Sequence, residues 1–359
     1  MKKLILLLVF SLLCSTLFGQ QEEIEKLIGE GVYFHDKGDY KSAIDKYDQV
    51  LQLDEDNLLA LAEKAMSLMY LQKYDDAIKN CKRAIEKHQG DDGLKLVYVT
   101  CGNAYDALKE TDKSLEMYDE GLKLFPDFFL LYFNKAITLS NIERYEEAII
   151  CSQKSVSFNL QHASSHNSLG RLLCVSENRI PAILALSRFL ILEPQTNRAK
   201  DNLELLQYVM KANVEKTGKN TINVNINPNM LSDTTEDGKI KENNFATTDL
   251  LLTMETALDY DKKPKKKTEV KKFIEKIELV CSSLKESKNE NYGFYWDYYV
   301  PYFIEMQDGK FIKTFAHIAF ATSGYPDVDK WLKKHEKDIN NFYEWSSNFN
   351  WQQNGKWNS

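Results

Sequence analysis

The sequence predicts an all-α fold: about five stacked helix–turn–helix units with a capping helix, then a linker and a second, smaller helical domain. Three observations carry this. A small residue returns at Gly31, Ala65, Gly102, Ala136 and Gly170, in steps of 34, 37, 34 and 34. A second series, Ala43, Ala77, Ser114, Ala148 and Ala182, keeps the same steps. Around both, apolar residues recur with helical spacing and turn residues interrupt them. A unit this short cannot bury its apolar face alone and must stack on its neighbours, so the period reads as a repeat array.

Residues 1–19 read as a secretory leader. Lys2-Lys3 gives the positive end, residues 4–13 are apolar apart from Ser11, and cleavage is expected after Gly19. The run is about half of the ~20 residues a membrane-spanning helix needs. Acylation at Cys14 is not expected, because Leu13 is bulky where such a site calls for a small residue. The expected location is therefore exported, periplasmic or secreted, with no integral membrane segment after cleavage.

The repeats follow as residues 24–57, 58–91, 95–128, 129–162 and 163–196, with a cap at 197–211 completing a region of residues 20–211. In the first unit Ile24, Leu27, Ile28, Gly31 and Phe34 form one stripe. Lys37-Gly38-Asp39 breaks it, and Tyr40, Ala43, Ile44, Tyr47 and Leu51 form a second. Small side chains at Gly31 and Ala43 let two helix backbones approach closely. The three extra residues behind the single step of 37 fall at Gly90-Asp91-Asp92-Gly93, a turn that absorbs an insertion.

This unit resembles the tetratricopeptide repeat (TPR), which has Gly or Ala at its eighth position, a large apolar residue at the eleventh, Ala at the twentieth and often Pro at the thirty-second. Here the eleventh slot holds Phe34, Leu68, Tyr105, Leu139 and Leu173, and the seventeenth Tyr40, Tyr74, Thr111, Tyr145 and Arg179. Pro126 and Pro194 fill the thirty-second slot in the third and fifth units only. The resemblance implies a TPR-like α-solenoid whose concave face is built by the first helix of each unit.

Carried over slot by slot, the resemblance implies a groove lined by Leu59, Met66, Met69, Tyr70, Leu96, Val99, Asn103, Leu130, Phe133 and Ile137, with Asn134 beside them. His35 and Asp36 flank one end, Asn167 and Arg171 the other. One branch of the family clamps a C-terminal carboxylate with Lys and Asn. Asn103 and Asn134 match its asparagines, but Val99, Ser164 and Ser168 stand in its cationic slots, so this mode is not expected. A mostly apolar groove calls for a hydrophobic or amphipathic segment. Either a protein partner or the chain's own C-terminal domain could supply it, with the partner favoured.

Residues 212–245 read as a flexible linker rich in Asn, Thr, Asp and Gly, with a strand-like alternation at Ile222-Asn223-Val224-Asn225-Ile226. Residues 246–359 read as helical, with helices expected at 248–258, 270–284, 294–306, 311–321 and 328–345. All five tryptophans lie there, at 296, 331, 345, 351 and 357, and read as core.

Chemistry is sparse. No GxSxG, HExxH, phosphate loop or EF-hand occurs. His162 and His166 are four apart, but the unit boundary falls between them and the intervening Ala163-Ser164-Ser165 holds no carboxylate, so no metal is expected. His317 reads as a core histidine. Five cysteines remain after the leader and read as buried small residues, with Cys81–Cys101 the one pairing to test. Lys262-Lys263-Pro264-Lys265-Lys266-Lys267 reads as a solvated charge run, and 46 basic against 53 acidic residues give no general attraction to nucleic acid. The functional expectation is a non-catalytic exported interaction scaffold without a cofactor. The alternative is an envelope enzyme or polysaccharide-binding protein acting through Tyr295, Trp296, Asp297 and Tyr299.

Overall fold

The computed structural model describes residues 2–218, 221–226, 241–260 and 267–351, with side chains described from residue 18 onward. Among these are seventeen helices and one two-stranded sheet. Packing groups the chain into two compact units, Met1–Phe158 and Asn159–Ser359.

The first unit is four helical hairpins: α1 (Lys2–Asp36) with α2 (Tyr40–Leu53), α3 (Leu58–Tyr70) with α4 (Tyr74–Lys87), α5 (Leu94–Ala107) with α6 (Thr111–Leu124), and α7 (Phe129–Asn141) with α8 (Tyr145–Phe158). Every hairpin turns the same way. The fifteenth residue of each repeat, Gly38, Gln72, Lys109 or Glu143, has a left-handed backbone with φ between 58° and 78°. The next amide then donates back to the eleventh residue's carbonyl: Asp39 to Phe34, Lys73 to Leu68 and Glu110 to Tyr105 at 2.9 Å, and Arg144 to Leu139 at 3.0 Å. That bond satisfies a carbonyl the helix end would leave orphaned.

Neighbouring hairpins share their cores: Ile24, Leu27, Ala43, Tyr47 and Val50 of the first close against Ala60 of α3. All ten small positions of the two series are buried. At the eighth slot two of the glycines meet a ring. A Cβ on Gly31 would lie 2.4 Å from the Tyr47 ring, and one on Gly102 would lie 2.3 Å from the Tyr118 ring. Tyr47 and Tyr118 hold the twenty-fourth slot; where the eighth is Ala65 or Ala136, the twenty-fourth is Cys81 or Ser152. In these four repeats glycine is matched with tyrosine and alanine with a small residue; in the fifth, a Cβ on Gly170 would lie 2.8 Å from the Leu186 side chain.

Gly102→Ala is therefore expected to destabilise by about 1–3 kcal/mol through overpacking, and to cost little in a Tyr118→Cys background. Urea denaturation of the four proteins of this cycle measures the coupling; equal costs in both backgrounds would refute the size match.

The second unit opens with α9 (Ala163–Val175) and α10 (Arg179–Leu192), a fifth hairpin with the same turn: Glu177 has φ 59°, and Asn178 N–H donates to Leu173 O at 2.9 Å. Then come α11 (Asn197–Lys211), the antiparallel pair β1 (Val214–Lys216) and β2 (Ile222–Val224), α12 (Ala246–Leu258), α13 (Glu269–Ser287), α14 (Phe294–Asp308), α15 (Ile312–Ala319), α16 (Pro326–Lys334) and α17 (Glu336–Asn348). Residues 179–191 of α10 are buried all round, and α11, α12, α14 and α15 pack on it. A helix apolar on every side must be covered on every side. The fifth hairpin thus groups with the helices beyond it, and the packing boundary lies at Phe158/Asn159 instead of within 212–245.

Other expectations change in detail. The strand-like run is no tether, since Ile222–Val224 pairs with Val214–Lys216 of the same chain. The expected helix at 328–345 is two, broken at His335. Trp331 lies between the rings of His317 and His335, with centroids at 3.9 and 4.2 Å. His317 Nδ1 bonds Lys313 O at 2.7 Å, as a satisfied core histidine would. Tyr295, Trp296 and Tyr299 are buried, and Trp296 stacks on Phe245 at 4.6 Å. The surface on which the enzyme or polysaccharide alternative rested is thus mostly core, because large rings bury the most area. Residues 219–220, 227–240, 262–266 and Trp357 lie outside the described residues, as does the Cys14 side chain.

His166 is also core, joining α9 to α14. Its Nε2 donates to Leu160 O at 3.1 Å and its Nδ1 accepts from Tyr299 Oη–H at 2.7 Å. Both ring nitrogens are engaged, which leaves neither for a metal. Burial first, then the Arg188 charge, pushes its pKa down to about 3.

Candidate partner-binding groove

In the first unit α1 packs on α3, α3 on α5 and α5 on α7, whereas the second helices pack mainly against first helices. The first helices therefore form one continuous layer, and a row of apolar side chains crosses it in the open. Leu59 is 49% exposed, Tyr70 60%, Leu96 45% and Ile137 37%. Met66, Met69, Leu130 and Phe133 are half-buried among them. Val99 departs from the expected lining: at 7% exposure it belongs to the core where α5 is flanked by α3 and α7.

The two asparagines are spoken for. Asn103 Oδ1 accepts from Tyr118 Oη–H at 2.6 Å, and Asn134 Nδ2 donates to Leu130 O at 2.8 Å within its own helix. With Val99 buried and Ser164 and Ser168 in the other two slots, the carboxylate-clamp slots hold no cation. Arg171 lies in the second unit, exposed, its Nε–H donating to Asn167 Oδ1 at 3.1 Å.

The α1–α3 end is polar and was legible only in part. His35 Nδ1 bonds Ser67 Oγ at 2.8 Å. Tyr40 and Tyr70 stack at 4.6 Å, with the His35 ring edge-on to both at 5.2 Å. Sequence reasoning missed Glu63, which lies one residue past a lining slot and is half-buried. Burial raises its carboxyl above the usual range, the His35 ring opposes this, and Asp36 adds to it. It also missed the Tyr47 hydroxyl, which is buried without a hydrogen-bond partner. Burial, then the charges of Glu63 and Asp36, raises that phenol above its usual range.

Beneath the layer, Cys81 and Cys101 are buried free thiols. The hydrogen bond between the two thiols, then burial, raises Cys81 well above the usual thiol range, and the same hydrogen bond lowers Cys101. Among the described residues no group of His, Cys, Asp and Glu is disposed to hold a metal ion. No helix among them is long and apolar enough to cross a membrane.

Comparison with known proteins places these hairpins. The family described as "Psidin, N-terminal TPR repeats region" matches residues 32–133, and the family "Tetratricopeptide repeat" matches residues 117–150. The chain is 30% identical over 131 residues to "Protein STIP1 homolog" of Dictyostelium discoideum, which is 35% of this chain and 22% of that protein. It is 27% identical over 125 residues to "Hsp70-Hsp90 organizing protein" of Triticum aestivum, 34% of this chain and 21% of that one. The chain thus spans about a fifth of the length of these curated relatives. Among solved structures, MamA has a TM-score of 0.40 at 20% identity, covering 47% of this chain and 96% of that one. A thermophilic TPR protein of Thermus thermophilus has a TM-score of 0.44 at 14% identity, covering 52% and 98%. PilF of Pseudomonas aeruginosa has 0.44 at 16%, covering 54% and 90%. The hairpins within residues 32–150 thus match tetratricopeptide-repeat families.

Proposed function

We propose that the protein is an exported, non-catalytic interaction scaffold whose first-helix layer in residues 58–141 holds an apolar or amphipathic segment of a protein partner. The observation that carries this is the open row Leu59, Tyr70, Leu96 and Ile137. Apolar side chains aligned on one face mark an interaction surface, and the half-buried Met66 and Met69 behind them adapt to varied shapes. The wheat relative is named for Hsp70 and Hsp90. A C-terminal carboxylate is not the ligand proposed here, since Val99, Ser164 and Ser168 offer it no charge.

Export rests on the leader at residues 1–19. Phe18 and Gly19 are exposed, and the Gln20 side-chain amide donates to Leu53 O at 2.7 Å. N-terminal sequencing of the mature protein from a cell-envelope fraction is expected to begin at Gln20; a first residue of Met1 would count against export.

The groove is tested by Leu59→Asp, Leu96→Asp and Ile137→Asp combined. All three positions are exposed, so helix content and melting should stay near wild type while capture of partner from envelope extract is lost. Retained capture would remove the groove as the site. A truncation for the same purpose should end at Phe158, where the packing divides.

A further inference from the structure

The α1–α3 end of the groove carries a chemistry the apolar row does not, and the repeat itself makes it visible. In the third repeat Tyr118 passes its ring over Gly102 and donates its hydroxyl to Asn103, the ninth slot of α5. In the first repeat Tyr47 passes over Gly31 in the same way, but the ninth slot is Val32. The Tyr47 side chain is fully buried and its hydroxyl has no partner. By equivalence with Tyr118 it points toward the groove floor. Glu63 lies close enough to raise the Tyr47 phenol. Among the described residues no lysine or arginine is paired to Glu63, His35 is the one group that lowers its carboxyl, and Asp36 adds a second, exposed carboxylate. Tyr70, stacked on Tyr40, presents an exposed aromatic face at the same end.

A half-buried carboxylate without a cation and an orphaned phenol oxygen are acceptors awaiting N–H donors, and an open aromatic face attracts a cation. A guanidinium matches all three at once, with its planar fork of donors and stackable plane. We propose that this end of the groove is a subsite for a basic side chain, arginine foremost, on the partner segment, held by Glu63, Asp36 and the Tyr47 hydroxyl and covered by Tyr70. The inference rests on the groove reading above and adds a charge to the partner it requires: one basic residue next to the apolar residues that cover Leu59 and Leu96.

The test uses the full-length chain and a phage-displayed library of random peptides. Recovered peptides are expected to share an arginine or lysine beside apolar residues. Titration should show about tenfold or greater loss of affinity when that residue is replaced by citrulline or glutamine, and the same loss in Glu63→Gln. Tyr47→Phe, which keeps the ring against Gly31, should lose severalfold. Because ionising Glu63 is disfavoured in the free fold, Glu63→Gln should melt no lower than wild type, which separates lost binding from lost structure. Peptides without a shared basic residue, or with equal affinity for Glu63→Gln, would overturn the subsite while leaving the groove intact. A library that yields no binder would overturn the groove reading, and the subsite with it.

Discussion

Asp249→Ala is expected to lower the stability of the second unit by about 3–5 kcal/mol, because it strands a buried guanidinium. Arg179 is almost wholly enclosed. Its Nη1 donates to Asp249 Oδ1 at 2.6 Å and to Thr253 Oγ1 at 2.7 Å, its Nε to Val209 O at 2.9 Å and its Nη2 to Met210 O at 2.7 Å. One side chain thus ties the end of α11 to α12. Burial lowers the Arg179 pKa and raises that of Asp249, so for both partners desolvation outweighs their attraction. The pair is therefore costly to break rather than a source of net stability. Arg179→Met together with Asp249→Ala should recover part of the loss, since Val209, whose carbonyl is freed, lines a cavity of about 500 Å³ that admits water. Calorimetry of the single and double variants is the check; a single variant melting like wild type would contradict this account.

Acid is expected to weaken the same unit through His166. The ring takes up a proton near 6.5 when the chain is unfolded and near 3 when folded. Between those values the unfolded chain holds the extra proton, so stability rises with pH across that window. The contribution is complete above pH 6.5 and is lost as pH falls toward 3, at about 1.4 kcal/mol per unit. About 3 kcal/mol should be gone by pH 4.5. His166→Gln keeps a donor and an acceptor but cannot titrate there, so its urea midpoint should change less between pH 7.5 and 4.5. Equal losses in both proteins would assign the acid sensitivity elsewhere.

The repeat was legible because stacking puts small residues at fixed, fully buried places, and burial of that kind leaves a period in the sequence. The turn was legible once. Gly38 marks it, whereas Gln72, Lys109, Glu143 and Glu177 adopt the same left-handed backbone without glycine. The match between slots eight and twenty-four was present in the residues but needs a contact to be seen, since Gly31 and Tyr47 lie on different helices. Arg179 announced itself only as a departure from the tyrosines at the seventeenth slot. The grouping of α10 with the later helices had a signal too: Ile180, Ile183, Leu184, Leu186, Phe189, Leu190 and Ile191 leave no polar face. The exposure of Leu59, Leu96 and Ile137 followed from slot position, while the burial of Val99 did not, because slot position does not register how closely neighbouring helices flank α5.

The central claim is that the first-helix layer of residues 58–141 grips a segment of another protein. It is tested most directly by placing a photo-crosslinking amino acid at Leu96 on α5, or at exposed Lys123 on α6, and illuminating cells that express the full chain. The account predicts a covalent adduct with a separate protein from position 96 and none from position 123. Equal yields from both positions, or an adduct joining position 96 to residues 246–359 of its own chain, would contradict it.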